Sequence, residues 1–388
     1  MERTYQQTHP WITFQYDPTY DRVSTRVGEA YSKCQHLAGT PLQPRVAQSL
    51  ASVYLVKGAA ATTAIEGNTL TEGEVDAIIN HGKMLPPSQQ YLQQEVLNIV
   101  GVLKGIQHTP ADFRLTPDWL KTQNAAILAG LELADHVIPG EYTTTPLIVG
   151  TYRGAPPQDV PYLIDRLCEW VNARTEQGRV DDHPDIAFYN TVITAILAHL
   201  YIAWIHPFGD GNGRTARAIE CAILTTSGLV PWVSSNLLSD HYNRTRSRYY
   251  DRLAASSRNR DVQGFVQYAL DGFVDMLREQ ITTVQTQQRA VAWVNYVHEM
   301  FDHETHGDTS HRRRKLLLAL PEAHPTPRAK IRRLTPELAE LYAQKSDKTI
   351  SHDLNRLVQL DLIAGDPKTG YLPRVQIMDA FLPESYRP

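Results

Sequence analysis

His206-Pro207-Phe208-Gly209-Asp210-Gly211-Asn212-Gly213-Arg214-Thr215-Ala216-Arg217 packs a histidine, a carboxylate, two glycines around an asparagine, and two arginines into one short window. One apolar segment, Ile193 to Ile205, precedes it, and another, Ala218 to Thr226, follows. Gly211-Asn212-Gly213 therefore falls where a loop enters a helix. The first amides of a helix have no acceptor within it, and the helix dipole adds partial positive charge there. Glycines let that backbone close on an anion, which is how helix N-termini bind phosphate. Arg214 and Arg217 are three positions apart and share a helix face, and two guanidinium groups suit a polyphosphate better than a single carboxylate. Asp210 is suited to a hard divalent ion, Mg²⁺, shared with the phosphates. His206 is a proton acceptor near neutral pH. The window is not a Walker A loop, because no glycine-lysine-serine or glycine-lysine-threonine follows at the right spacing.

Outward from this window the chain reads as mainly helical. Asp185–Ile205 is a buried apolar helix, and a second helix runs from about Arg214 to Thr226. Upstream, Val23–His36, Pro44–Ile65, a short helix through Ile79, Gln89–Ile106 and a helix from Pro117 are expected. Leu92, Val96, Ile99, Val100 and Leu103 recur at spacings of three and four. Thr71 and Glu74 form a capping box, and Thr116-Pro117 sets proline at a first helical position. Tyr142–Tyr152, rich in threonine, valine and tyrosine, predicts a short β-hairpin. Val160–Ala173 is again helical, and a long amphipathic helix begins at Val262 and passes Arg289. His9–Phe14 reads as an extended arm that packs aromatics onto a later part of the fold.

Composition bounds the function classes. The 388 residues are 42% hydrophobic and 21% charged with a net charge of −4, too mild to imply a nucleic-acid or membrane partner by itself. Cys34, Cys168 and Cys221 are scattered and odd in number, which points to free thiols in a reducing, cytoplasmic setting. No secretory signal is expected, and no uninterrupted apolar run reaches a membrane span. His183, His199 and His206 lack the carboxylates or cysteines of a transition-metal site.

The window from His206 to Arg217 resembles in full the motif of the Fic (Fido) family: His, any, Phe, any, Asp or Glu, Gly, Asn, Gly, Arg, any, any, Arg. Element order is similar from about residue 45 to 285. The resemblance implies a Fic-type helical bundle with a small β-hairpin flap and a winged helix-turn-helix domain after it, divided as 1–110, 111–300 and 301–388. It implies transfer of AMP from ATP to a Ser, Thr or Tyr hydroxyl of a target protein and of the enzyme itself. In that reading His206 is the general base, and Phe208 anchors the loop. Asp210 holds Mg²⁺, and Gly211, Asn212 and Gly213 form the anion hole, with Asn212 near the α-phosphate. Arg214 and Arg217 hold the outer phosphates. Tyr249 and Tyr250 are candidates for the adenine and ribose side.

Thr62-Thr63-Ala64-Ile65-Glu66-Gly67 resembles the family's inhibitory motif, which implies that Glu66 pairs with Arg217 and competes with ATP. Many relatives carry arginine after the glutamate-tyrosine pair of the flap, where this chain has Thr143, so target choice does not carry over. In the tail, Thr335–Ala343 and Thr349–Leu360 read as two helices and Ile363–Leu372 as a hairpin. The second helix carries His352, Asn355 and Arg356, which suit DNA, while Asp347, Asp353, Asp361 and Asp366 blunt the positive field. Two further readings stand beside the adenylyltransferase: removal of AMP with Glu66 positioning water, and a nucleotide-sensing transcriptional regulator. The partners are then a protein with a hydroxyl side chain, the chain itself, a second copy in a homodimer, or DNA, and no membrane.

Overall fold

A computed structural model describes residues 3–16, 20–150, 152–180, 183–302 and 307–379. Thr151 of the expected flap, residues 303–306 and the chain end from 380 lie outside these residues. Contacts divide the chain into two units, residues 1–281 and 282–388. The break expected between 300 and 301 falls inside the second unit.

The first unit opens with α1 (Thr4–Thr8) and an extended arm, followed by α2 (Tyr20–Ala38), α3 (Pro44–Ile65), α4 (Glu72–His81), α5 (Gln90–Gln107) and α6 (Pro117–Leu128). Local chemistry sets several of these ends. Pro44 and Pro117 occupy first-turn positions, where a missing N–H costs nothing. Thr71 Oγ1 accepts from the Glu74 N–H at 3.3 Å while the Glu74 carboxylate accepts from the Thr71 N–H at 3.0 Å, closing the capping box. Packed together, α3, α5, α6 and a later helix, α9 (Asn212–Thr226), share one apolar cluster that includes Val56, Val96, Ile99, Ile127 and Ala222. The N-terminal helices are thus part of the core that carries the central window.

The expected hairpin is smaller than its composition suggested. Its strands are β1 (Ile148–Val149) and β2 (Tyr152–Arg153), antiparallel, with Ile148 opposite Arg153. Residues 142–147 make no strand with them. Instead Tyr142 forms a single bridge to Phe208, and the Thr143 N–H donates to the Pro207 carbonyl at 2.8 Å. Thr143 Oγ1 turns the chain by donating to the Thr145 carbonyl, and Pro146 has no N–H to offer a ladder.

Next come α7 (Val160–Val180), α8 (Pro184–Ile205) and α9 (Asn212–Thr226), then α10 (Leu237–Arg244) and α11 (Arg246–Arg258). Helix α8 is long and apolar enough to cross a membrane by composition. Every residue from Thr191 to Ile202 is buried within the first unit, as befits a helix that is apolar all round. The arm packs its aromatics as expected: Phe14 stacks on Tyr201 of α8 with ring centroids 4.6 Å apart.

Helix α12 (Val262–Asp302) gives its first half to one unit and its second half to the other. Trp293, Val297 and Phe301 join Leu316, Leu317, Ile331, Leu354, Leu357 and Leu362 in the core of the second unit. That unit holds α13 (Asp308–Ala319), α14 (Pro336–Leu341), α15 (Asp347–Gln359) and the hairpin β3 (Ile363–Asp366) and β4 (Gly370–Pro373). Asp353 does not blunt a surface field. It is 1% exposed and accepts from Arg312 Nε at 2.8 Å, Arg313 Nε at 2.9 Å and the Tyr342 hydroxyl at 3.0 Å. Arg312 and Arg313 are thus both turned inside the unit by this one carboxylate.

Candidate functional site

The window sits between the C-terminus of α8 and the N-terminus of α9, two helices packed side by side. His206 ends α8 in the left-handed region (φ 54°, ψ 59°), its N–H still bonded to the Ile202 carbonyl at 2.9 Å. A non-glycine residue pays about 1 kcal/mol or more for that backbone, and such strain persists only where the surroundings enforce it. Burial lowers the imidazole pKa, against the opposing pull of a bond to the Ala203 backbone and of the Glu66 and Asp210 charges. The ring is therefore neutral at physiological pH and free to take a proton.

The loop is held from inside. Phe208 is fully buried. The Asn212 side chain accepts from the Phe208 N–H at 2.9 Å and donates to the Phe208 carbonyl at 2.6 Å. The Asn212 amide is thus bonded at both its oxygen and its nitrogen within the loop. Gly211 takes φ +77°, which excludes most side chains. Asn124 of α6, fully buried, donates from Nδ2 to the Asp210 carbonyl at 2.9 Å and accepts from the Gly140 N–H at 3.0 Å. It ties the loop to the chain that leads into the flap. Sequence reasoning missed this residue, since one asparagine in an amphipathic helix carries no distinguishing signal.

At the start of α9 the charges converge. Arg217, 2% exposed, donates from Nη2 to Glu66 Oε1 at 2.6 Å and to the Thr62 carbonyl at 3.1 Å. Its Nε and Nη1 are buried and have no partner. Arg214 donates from Nη2 to Asp210 Oδ1 and from Nη1 to Glu95 Oε1, each at 3.1 Å, and its Nε is likewise buried and unpartnered. Glu66 is the C-cap of α3, and a Cβ at Gly213 would overlap its carboxylate. Burial alone would raise the Glu66 pKa, but the Arg217 charge and hydrogen bond, with Arg214 and Arg246 nearby, hold it below the usual carboxylate range. An internal anion thus lies against the N-terminus of α9, between the cations that would receive an external one.

The structure brings together His206, Asp210, Gly211, Asn212, Gly213, Arg214, Arg217 and Glu66. Tyr249 lies behind them. It is 2% exposed, and its hydroxyl pairs with His199 Nε2 at 2.8 Å, while His199 Nδ1 pairs with Glu220 at 3.2 Å. Tyr249 thus packs the rear of the site within a polar aromatic cluster. Tyr250 is 44% exposed and donates to the Ile65 carbonyl at 3.2 Å, beside Glu66. On α11 it shares a face with Ala254 and Ser257, which line a cavity of about 330 Å³ together with His9, Trp11, Tyr152 and Arg153.

Comparison with known proteins adds to this geometry. Residues 114–224 match the model of the Fic/DOC family. That segment holds the window and Asn124; Glu66, Glu95, Tyr249 and Tyr250 lie outside it. Protein adenylyltransferase fic-1 of Caenorhabditis briggsae is 28% identical over 210 residues, 53% of this chain and 37% of its own length. Protein adenylyltransferase Fic of Culex quinquefasciatus is 30% identical over 210 residues, again 53% of this chain and 38% of its own length. The chain thus spans less than two fifths of the length of these curated relatives. A Fic family protein from Desulfovibrio desulfuricans has the same fold, with a TM-score of 0.55 at 21% identity over 92% of this chain and 98% of that one. The fold is of the Fic type.

Proposed function

We propose that this chain is a Mg²⁺-dependent protein adenylyltransferase that transfers AMP from ATP to a Ser, Thr or Tyr hydroxyl of a target protein and of itself, restrained by Glu66. One observation carries the reading. Two buried arginines at the N-terminus of α9 keep donors without partners, Nε of Arg214 and both Nε and Nη1 of Arg217. Buried cationic donors left unpaired are costly, and a polyphosphate is the ligand that satisfies several at once. The neutral imidazole of His206 stands at the other end of the same short loop. The likeness to named adenylyltransferases over 210 residues supports this reading.

The reaction follows from the placement of the groups. The target hydroxyl attacks the α-phosphorus as its proton passes to His206. The bond to the bridging oxygen breaks, and pyrophosphate leaves with the outer phosphates held by Arg214 and Arg217. Backbone amides at Gly211–Gly213 and the helix dipole stabilise charge at the α-phosphate. A positioned base contributes roughly 10²–10⁴-fold. Asp210 would hold Mg²⁺. Its side chain is 46% exposed, and among the described residues no group of three or more acidic, His or Cys side chains encloses a metal. One carboxylate suits an ion that takes its other ligands from phosphates and water. When bound, the ion neutralises phosphate charge. The cavity lined by Tyr152, Arg153, Ala254 and Ser257 suits the base and sugar, and the exposed Ile148 and Val149 of β1 suit strand pairing with the target segment.

Glu66 occupies one donor, Arg217 Nη2, and the space over Gly213 that the outer phosphates need, which is the physical content of the restraint. In the second unit, we read three helices, the β3–β4 hairpin and the Thr326–Tyr371 bridge as a winged helix-turn-helix domain. The test is incubation with ATP labelled at the α-phosphate and Mg²⁺. Glu66→Gly should label itself at least tenfold more than the wild type, and Glu66→Gly/His206→Ala should not label. Equal labelling of Glu66→Gly and the wild type removes the restraint, and no labelling in any variant removes the activity.

A further inference from the structure

We propose that Glu95 of α5 is a positioning residue of the phosphate site, aiming Arg214 with one oxygen and seating the loop after Glu66 with the other. The inference rests on the phosphate-site reading above. Glu95 Oε1 accepts from Arg214 Nη1 at 3.1 Å, and Oε2 accepts from Asn68 Nδ2 at 2.9 Å. Arg214 has one other anchor, Asp210, whose side chain lies on the loop and is 46% exposed. The Arg214 side chain is only 6% exposed. Without Glu95 its Nη1 is left buried and unpaired, and the guanidinium is drawn toward Asp210, the other carboxylate it bonds. Arg214 would then leave the outer phosphates and also press on the carboxylate assigned to Mg²⁺.

Asn68 makes the second half of the clamp. It is 7% exposed, and its Nδ2 also donates to the Leu92 carbonyl at 3.0 Å, while its Oδ1 accepts from the Leu70 N–H at 3.1 Å. Its Nδ2 docks the turn at Gly67 onto α5, and its Oδ1 closes that turn on itself. Glu66 stands at the start of that turn. One carboxylate therefore links the arginine that ATP needs to the segment that carries the restraint. Glu95 lies outside the segment matched by the family model, so the window is aimed in part by a helix that the match does not include.

Two substitutions separate the two bonds. Glu95→Gln keeps the size and loses the charge, and Asn68→Ala removes only the seat of the loop. In a Glu66→Gly background, calorimetric titration with Mg²⁺-ATP and with inorganic tripolyphosphate should give Glu95→Gln a Kd raised roughly tenfold for both, the loss of one charge-assisted hydrogen bond's alignment. KM for ATP should rise with it while kcat falls less than threefold, and Asn68→Ala should leave both near the parent. With Glu66 intact, Asn68→Ala should raise self-labelling several-fold. An ATP Kd within twofold of the parent in Glu95→Gln overturns the positioning role, and unchanged labelling in Asn68→Ala overturns the link to the loop. If Glu66→Gly binds neither ATP nor tripolyphosphate, the phosphate-site reading fails by itself. The crystal structure of Glu95→Gln then decides the clamp: Arg214 turned to Asp210 supports it, and Arg214 unmoved overturns it.

Discussion

His206 combines a left-handed backbone, burial and a neutral ring, and each has a consequence for activity. Protonation removes the base, so the rate should rise with pH through the His206 pKa and be flat above it. Burial lowers that pKa, so the acid limb is expected below the ordinary imidazole value of about 6.5. The Glu66 charge pulls the other way, so the limb in Glu66→Gly should lie lower still than in the wild type. Rate profiles of both proteins between pH 5 and 9 check the sign, and a limb that moves up on loss of Glu66 would refute the assignment of His206 as the base. The same carboxylate uses Arg217 Nη2 and stands over Gly213, which is the geometry the proposed restraint requires.

At the scale of elements, the loop between α8 and α9 is shaped by side chains that never touch the reacting atoms. Asn212 staples Phe208, and Asn124 holds the Asp210 carbonyl and the Gly140 N–H. Asn124→Ala leaves a buried donor and a buried acceptor unsatisfied at about 1–3 kcal/mol each. It should lower Tm by several degrees and reduce labelling in the Glu66→Gly background by at least tenfold. A stable variant with full activity would show that Asn212 alone shapes the loop. By contrast, Thr71→Ala breaks an exposed capping box at the head of α4. A cost of about 1 kcal/mol is expected in denaturant unfolding, with no change in ATP affinity.

On the scale of the whole molecule, two units carry separate cores, and the buried Asp353 with Arg312, Arg313 and Tyr342 belongs to the second alone. Removing a carboxylate from such a site strands two buried or half-buried cations, at about 3–5 kcal/mol. Asp353→Ala should lower the melting of the second unit in scanning calorimetry while ATP binding by the first is retained. Loss of ATP binding in step with that melting would show that the units do not unfold separately.

Much of this was legible along the chain because it depends on chemistry within one helical turn. Pro44 and Ile65 bound α3 as read, the Thr71–Glu74 box opens α4, and the apolar run before His206 is a core helix. The charges of the window pointed to phosphate through the orphan amides of a helix start, which any helix possesses. Other features depend on residues brought together from far apart, and no local pattern announces them. Arg214 meets Glu95 across 119 positions, and Asn124 meets the Asp210 loop across 86. Asp353 looked like a surface charge because helical spacing says nothing about which arginines fold over it. The hairpin shrank because its first residues found partners in the loop at Pro207 and Phe208, not in each other. The sequence by itself determined the helices and placed a histidine, a carboxylate and two arginines around one helix start. The tertiary structure decided which donors remain open, which carboxylate lies against the start of α9, and which partners Arg214 and Arg217 bond, because those depend on distances between elements that only packing sets.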